Sequence, residues 1–254
     1  MSEGEKRESV ILCEGYHDRA FWSGWLEHLG CKSLKPGEGK KVYDPWDKVV
    51  SRGVYAFQTP SADFVRVIPV RGIGNVIPEA LDLLPGRTTR QLTRLVVSID
   101  PDTVADAKEQ RSTGIKLPDL LHQISSIDEA AKINSDDDIV LDDQTKVSLV
   151  RWEVSDGESP GLPKQQTLER LISASICAAY PKRGENVKQW LDIRQDPPKF
   201  TVKEFAWSYY AGWYANHGTD DFYRCIWDDS KIAEQLRNRL TETGAWRVAV
   251  DVAK

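Results

Sequence analysis

The sequence predicts an α/β fold in which a mainly parallel sheet is flanked by helices and is followed by a helical C-terminal third. Two observations carry this prediction. Short segments rich in apolar residues at 9–13 and 94–99 are typical of strands that are buried on both faces. Between these runs, strand candidates alternate with helix candidates, and that order favours parallel strands joined by crossover helices.

The first two elements are the strand at 9–13 and a helix from about His17 to Leu29. Gly30 is a suitable C-terminal stop for this helix. Its apolar residues recur at a spacing of three and four, as expected for an amphipathic helix: Phe21, Trp22, Trp25, Leu26 and Leu29.

A segment rich in Lys, Gly and Pro at 32–48 predicts an exposed loop. Two short strands are expected after it, at 54–58 and 64–70. A glycine-rich turn at 71–75 then leads into a short helix that ends near Leu84.

The strand at 94–99 places Asp100 directly at its carboxyl end. No element is assigned to the polar and acidic stretch 101–144, and a solvated turn is favoured over a metal site for its acidic run Asp136–Asp138. A further strand is expected within 146–154, and a helix from Gln165 to about Ala179.

From residue 181 onward the sequence predicts helices, at 184–195, 201–217 and 229–240. This change in predicted structure places a first domain at 1–180 and a helical C-terminal region at 181–254, which could pack on the same core. Aromatic residues circle the middle helix widely, which favours burial or a subunit contact over base stacking: Trp207, Tyr209, Tyr210, Trp213 and Tyr214.

Composition restricts the classes of function. The formal net charge of -5 is unusual for a protein that coats DNA, but an acidic metal nuclease carries carboxylates that bound cations balance. The four cysteines are scattered without a CxxC pair, which argues against a zinc site and a disulfide framework. With no long apolar run and no signal-like start, we expect a cytoplasmic protein without a membrane span.

Carboxylates follow two of the predicted strands. Glu14 ends the first strand and Asp18 comes four residues later, while Asp100 and Asp102 follow the strand at 94–99. Ligand sites of open α/β sheets lie at the carboxyl ends of the strands, and Mg²⁺ prefers oxygen ligands. The alternative for each carboxylate is helix capping, or a favourable place beside a helix dipole.

These segments resemble the TOPRIM domain, whose fold is Rossmann-like. The segment VILCEGYHDRAF at 10–21 resembles the first TOPRIM motif, and LVVSIDPD at 95–102 resembles the strand that ends in Asp-x-Asp. The segment PVRGIGNV at 69–76 is similar to the glycine-containing central part. TOPRIM domains occur in topoisomerases, bacterial primases and nucleases.

The chain is more similar to nucleases of the overcoming-lysogenization-defect class and to small stand-alone TOPRIM proteins. In such relatives a Leu-Glu pair after a Gly/Pro loop adds an acidic ligand, which here is Glu169 in GLPKQQTLERL. A late lysine near the metals corresponds to Lys203 or to Lys199. Tyr16 is interpreted as a surface turn residue, since no tyrosine is placed as a topoisomerase nucleophile requires.

The resemblance implies hydrolysis of nucleic acid, with DNA favoured, by Mg²⁺ or Mn²⁺. Asp100, Asp102 and Glu169 would hold a metal, Glu14 and Asp18 would hold or share one, and Glu14 could also manage protons. Lys203 would neutralise the phosphate in the transition state.

The resemblance also implies partners. The chain has no GxxxxGK[ST] motif, so a separate ATPase and a role in antiviral defence are expected from the nuclease branch, with a homo-oligomer as a further expectation. The alternative is an inactive TOPRIM scaffold that acts through protein contacts, and nucleotidyl transfer is a third. Six basic residues could form either a surface that contacts backbone phosphates or a solvated loop face: Lys32, Lys35, Lys40, Lys41, Arg87 and Arg90.

Overall fold

The central sheet of the chain is mixed, with parallel strands in the middle and helices beside it. This computed structural model describes residues 7–34, 41–51, 53–101, 115–155, 165–194, 208 and 218–254. Over these residues the alternation of strands and helices confirms the predicted α/β class, and the C-terminal region is helical as expected. No helix of the described part is long and apolar enough to cross a membrane.

The strands pair side by side in the order β2-β3-β4-β1-β5-β8-β7-β6. Their bounds are β1 Glu8–Cys13, β2 Lys32–Ser33, β3 Tyr55–Gln58, β4 Phe64–Pro69, β5 Leu92–Ile99, β6 Lys132–Ile133, β7 Asp138–Val140 and β8 Lys146–Arg151. The helices are α1 Tyr16–His28, α2 Ile73–Leu83 with a 3₁₀ turn at Leu84–Gly86, α3 Leu117–Ile124, α4 Leu168–Ala179, α5 Pro181–Arg194, α6 Thr219–Asp228, α7 Ser230–Glu242 and α8 Ala245–Ala253.

β1 lies between β4 and β5 and is parallel to both. Cys13 at its carboxyl end is level with Pro69 of β4 and with Ser98 of β5. The outer strands β2 and β3 on one side, and β7 and β6 on the other, pair antiparallel. The carboxyl ends of three parallel neighbours therefore meet at one edge, where α/β sheets bind ligands.

The chain divides into two compact units, and the second begins at Asp100. The first comprises 1–99, 115–150 and 247–254, and the second comprises 100–114 and 151–246. The boundary expected after residue 180 lies inside the second unit.

In the first unit, helices cover both faces of the sheet. Val10 and Leu12 of β1 join the buried cluster that α2 and α3 also enter, so these residues face those helices. On the other face, the indole Nε1 of Trp22 in α1 donates to Ser98 Oγ of β5 at 3.1 Å. Trp22 is fully buried and stacks on Trp25, with 4.9 Å between ring centroids. Two buried tryptophans on one face explain why α1 ends up against the sheet.

The second unit is mainly helical. α4 packs against α7, and α5 and α6 contact α4 and α7 respectively. Asp229 caps α7 by accepting from the backbone N–H groups of Lys231 and Ile232, and it also accepts from the Tyr180 hydroxyl at 2.8 Å. This carboxylate therefore ties the end of α4 to the start of α7.

Some elements were not predicted from the sequence. α3, β6 and β7 lie in the stretch 101–144, for which no element is expected, and β2 lies in the expected loop. α6 and α8 were also missed, although the buried residues Ala245, Val248, Ala249 and Val252 of α8 recur at helical spacing. The predicted aromatic helix 201–217 lies outside the described residues except for Ser208.

The interpretation of Asp136–Asp138 as a solvated turn is wrong at Asp138. Asp136 and Asp137 are exposed, whereas Asp138 is fully buried at the start of β7. Its carboxylate accepts hydrogen bonds from Arg94 Nη1 at 3.2 Å, Arg247 Nη1 at 3.0 Å and Ser148 Oγ at 2.6 Å. The buried charge is tolerated because two cations and a hydroxyl surround it.

Candidate metal centre

The turn after β1 carries the first two candidate ligands, Glu14 and Asp18. Glu14 and Gly15 connect β1 to α1, and Gly15 occupies the N-cap position with an extended backbone and no side-chain cap. Asp18, in the first turn of α1, is buried at 6% exposure. A methyl group built on Gly15 would lie 3.6 Å from Asp18 Oδ2, so the Asp18 carboxylate folds back over this turn.

The electrostatics at the end of β1 are negative. Burial raises the pKa of the Cys13 thiol well above its usual value, and the charges of Asp18 and then Glu14 raise it further, against Arg19. The Arg19 guanidinium is held elsewhere, because Nη1 donates to the Gly53 carbonyl at 2.6 Å. The carboxylates of Asp18 and Glu14 thus both act on the buried group at the end of this strand.

The turn after β4 is attached to the turn after β1. The backbone N–H of Val70 donates to the Cys13 carbonyl at 2.9 Å, and that of Gly72 donates to the Glu14 carbonyl at 2.8 Å. Arg71 and Gly72 both have a positive φ, of 60° and 116°. Glycine suits the second position, whereas an arginine in this conformation is uncommon and marks a constrained turn.

In the second unit, Asp100 and Glu169 meet at the N-terminus of α4. Asp100 Oδ1 accepts the backbone N–H of Leu168 at 2.7 Å, and Glu169 is the next residue, in the first turn. Thr167 is the N-cap and accepts from the Arg170 N–H at 3.3 Å. Two carboxylates that are far apart in the sequence therefore lie at one helix N-terminus, where the dipole favours negative charge.

Glu169 is the described residue whose surroundings best fit a bound cation. Its side chain is 8% exposed, and Oε2 is buried without a hydrogen-bond partner among the described residues. An ionised carboxylate oxygen in this position carries a large desolvation cost unless a cation or water satisfies it. With Asp100 beside it, the donors are carboxylate oxygens, which is the chemistry that Mg²⁺ and Mn²⁺ select.

Four residues of the predicted ligand set lie within the described part of the chain, namely Glu14, Asp18, Asp100 and Glu169. Asp102, Lys203 and Lys199 lie outside the described residues. Glu14 and Asp18 belong to the first unit and Asp100 and Glu169 to the second, so each unit brings two of them together. Within the described ranges no group of three or more His, Cys, Asp or Glu side chains is arranged to hold a metal.

The two arginines of the expected basic surface are already paired. Arg87 contacts three aspartates of the first unit, with Asp142 nearest at 2.8 Å. Arg90 contacts Glu8 Oε2 and Asp44 Oδ2, each at 2.7 Å. These contacts raise the pKa of each guanidinium, against the effect of burial. Both arginines are structural, and the expectation that they contact phosphates is not supported.

Two residues at this edge of the sheet were not predicted to be functional. Arg71 was read only as part of a turn, and Tyr16 only as a surface turn residue. Tyr16 is indeed exposed, at 51%. The signal that could have singled them out is their position, since both follow a parallel strand directly or within three residues.

Comparison with known proteins supports the fold and goes no further. No family model matches the chain, and no curated protein matches it. The crystal structure of a hypothetical protein from Pyrococcus horikoshii OT3 is similar, with a TM-score of 0.67 and 16% identity over 98% of this chain and 100% of that one. A protein of unknown function from Thermoplasma acidophilum gives a TM-score of 0.31 at 11% identity, over 94% and 90% of the two chains. The first of these shows that an almost full-length fold of this kind exists in a second protein.

Proposed function

We propose that the protein is a Mg²⁺- or Mn²⁺-dependent nuclease that hydrolyses phosphodiester bonds, with DNA as the favoured substrate. The observation that carries the proposal is the buried, unsatisfied Oε2 of Glu169 beside Asp100 at the N-terminus of α4. The TOPRIM resemblance supports the reaction class. Glu14 follows one of three parallel strands whose carboxyl ends lie at one edge of the sheet, and such edges commonly bind ligands.

Asp100 and Glu169, together with Asp102, are the proposed holders of the metal, and Glu14 and Asp18 hold or share one. A bound divalent ion supplies Lewis acidity and a water of lowered pKa. Glu14, at the end of β1, is the group proposed to accept the proton of the attacking water. Lys203 is proposed to balance the charge of the pentavalent phosphate. A separate ATPase is the proposed partner, in a system of antiviral defence.

One observation favours the second candidate function, an inactive TOPRIM scaffold. Asp100 Oδ1 already accepts the Leu168 N–H, and the described carboxylates form no group of three. A chain of this kind would act through protein contacts alone. Cleavage assays separate the two functions.

The first test is cleavage by the purified full chain. Supercoiled plasmid, single-stranded DNA and RNA are incubated with Mg²⁺ or Mn²⁺, with and without EDTA. We expect cleavage that EDTA abolishes, because the proposed water activation needs the ion. Absence of cleavage with either metal, alone and with the partner ATPase, would favour the scaffold instead.

A second test concerns Glu169→Gln and thermal unfolding. In the metal-free protein this change is expected to leave the melting temperature equal or higher, because it replaces a carboxylate whose Oε2 is buried without a partner among the described residues. With Mn²⁺ at about 100 times its dissociation constant the wild type should gain roughly 2.7 kcal/mol of stability, and the variant much less. Glu185→Gln, on the exposed side of α5, is the matched control and should behave as wild type. Equal stabilisation of the wild type and both variants by Mn²⁺ would show that Glu169 is not a metal ligand.

A further inference from the structure

Tyr16 is an exposed aromatic side chain held in place beside the candidate ligands. It is the first residue of α1, two positions after Glu14, and 51% of its surface is open. The Arg19 guanidinium lies 4.9 Å from the centroid of its ring and 3.8 Å from that of Tyr55. Because Arg19 Nη1 is also bonded to the Gly53 carbonyl, the cation that supports the Tyr16 ring is itself fixed.

Arg71 differs from most arginines of the first unit. Arg66, Arg87, Arg90, Arg94 and Arg247 each pair with a carboxylate. Arg71 is exposed and makes no ion pair or side-chain hydrogen bond with the described residues. Its turn is joined to that of Glu14 through the bond from the Gly72 N–H, so an unpaired cation lies on the segment next to the one that carries Tyr16.

An open aromatic ring together with an unpaired cation is the combination that binds single-stranded nucleic acid. Bases stack on the ring, and the cation contacts the backbone phosphates. In a duplex the bases stack on one another, so no base face is available to the Tyr16 ring. Stacking requires the aromatic ring of Tyr16 but not its hydroxyl, whereas a tyrosine nucleophile requires the hydroxyl.

We propose that Tyr16 and Arg71 bind single-stranded nucleic acid, with the Tyr16 ring stacked on an unpaired base and the Arg71 guanidinium on a phosphate. This inference rests on the proposed function for its ligand class and extends it, since it makes a single strand, or a locally opened duplex, the preferred substrate.

The experiment measures binding without cleavage. Fluorescence anisotropy is recorded for the full chain with a labelled 20-mer of thymidylate and with a duplex of the same length, both in Ca²⁺. Tyr16→Ala should weaken binding of the single strand by roughly 5- to 100-fold, the range of one lost stacking contact, and leave duplex binding unchanged. Tyr16→Phe keeps the ring and should bind within about twofold of wild type.

Arg71→Gln has a different expected signature. It should weaken binding of the single strand and lower the slope of log affinity against log salt by roughly 0.7, the value for one phosphate contact on a single strand. Arg71→Lys should retain most of that slope. Melting curves of Tyr16→Phe and of both Arg71 variants should match wild type, and Tyr16→Ala should melt at most a few degrees lower, because it loses only the contact with Arg19.

Each outcome decides for or against the proposal. The proposal is overturned if Tyr16→Ala binds the single strand as tightly as wild type does, or if Tyr16→Phe loses as much affinity as Tyr16→Ala. It is also overturned if the wild type binds neither the single strand nor the duplex. A Tyr16 surface that instead serves a protein partner would give one of these results. If the chain binds the single strand through Tyr16 but shows no cleavage with either Mg²⁺ or Mn²⁺, this inference is upheld and the proposed nuclease activity is rejected. Cleavage by a chain whose Tyr16→Ala variant binds normally would do the reverse.

Discussion

Asp100→Asn is expected to abolish cleavage while the fold persists. The asparagine keeps Oδ1, so the bond from the Leu168 N–H at 2.7 Å can form as before. It loses the negative charge that a divalent ion requires. We expect the cleavage rate in Mg²⁺ to fall by about 100-fold or more, since a bound metal contributes several kcal/mol to the transition state.

The control for this prediction is Asp82→Asn on the exposed face of α2, which makes the same chemical change away from the candidate site. Asp100→Ala is the second comparison, because it also removes the acceptor of the Leu168 N–H and should cost about 1 kcal/mol of stability. Equal cleavage by wild type and Asp100→Asn would mean that a contaminating nuclease produces the products. A loss of cleavage only in Asp100→Ala would assign Asp100 to holding the Leu168 N–H.

Asp138→Ala is expected to give the largest loss of stability. Arg94 is 5% exposed, and the change would leave its guanidinium without its main buried partner. Removing one member of a buried ion pair typically costs about 3–5 kcal/mol. Urea unfolding should show this decrease for Asp138→Ala and little change for Asp136→Ala, whose side chain is exposed. Equal midpoints for the two variants would contradict the account of this buried network.

The same residue predicts a dependence of stability on pH. Burial alone would raise the pKa of Asp138, but hydrogen bonds from Arg247 and Ser148 and the charge of Arg94 outweigh it and hold the pKa below its usual value. A carboxyl with a lowered folded-state pKa stabilises the fold above its unfolded pKa of about 4, and the contribution is lost as the pH falls through the folded value. The wild type should therefore lose stability below about pH 4 more steeply than Asp138→Ala, as chemical unfolding at several pH values would measure.

The central part of the fold could be predicted because its strands contain runs of apolar residues, VILC in β1 and LVV in β5. β1 and β5 are buried along almost their whole length. The apolar sequence of such a strand predicts both the strand and the residues that follow its carboxyl end. Glu14 and Asp100 were therefore predicted at the carboxyl ends of strands, and β1 and β5 are parallel neighbours. Short-range pattern was sufficient for this part.

The rest depends on contacts between distant residues. β7 has only three residues and begins at the last aspartate of an acidic run, so the local sequence does not indicate that Asp138 is buried. Its carboxylate is buried against Arg94 and Arg247, which are distant in the sequence. Glu169 was proposed from resemblance alone, since only the tertiary fold brings Leu168 to Asp100. For Arg87 and Arg90 the sequence left a phosphate-contacting surface and a solvated face open, because a sequence shows a cation but not the carboxylates that pair with it.

The most direct test of the central claim is the anomalous scattering of Mn²⁺ in crystals of the full-length chain. The account predicts a Mn²⁺ peak bonded to carboxylate oxygens of Asp100 and Glu169, at the distances of about 2.0–2.2 Å typical of small hard divalent ions, and no peak there in Asp100→Asn. Mn²⁺ bound elsewhere, with Glu169 Oε2 satisfied by a water molecule, would contradict it.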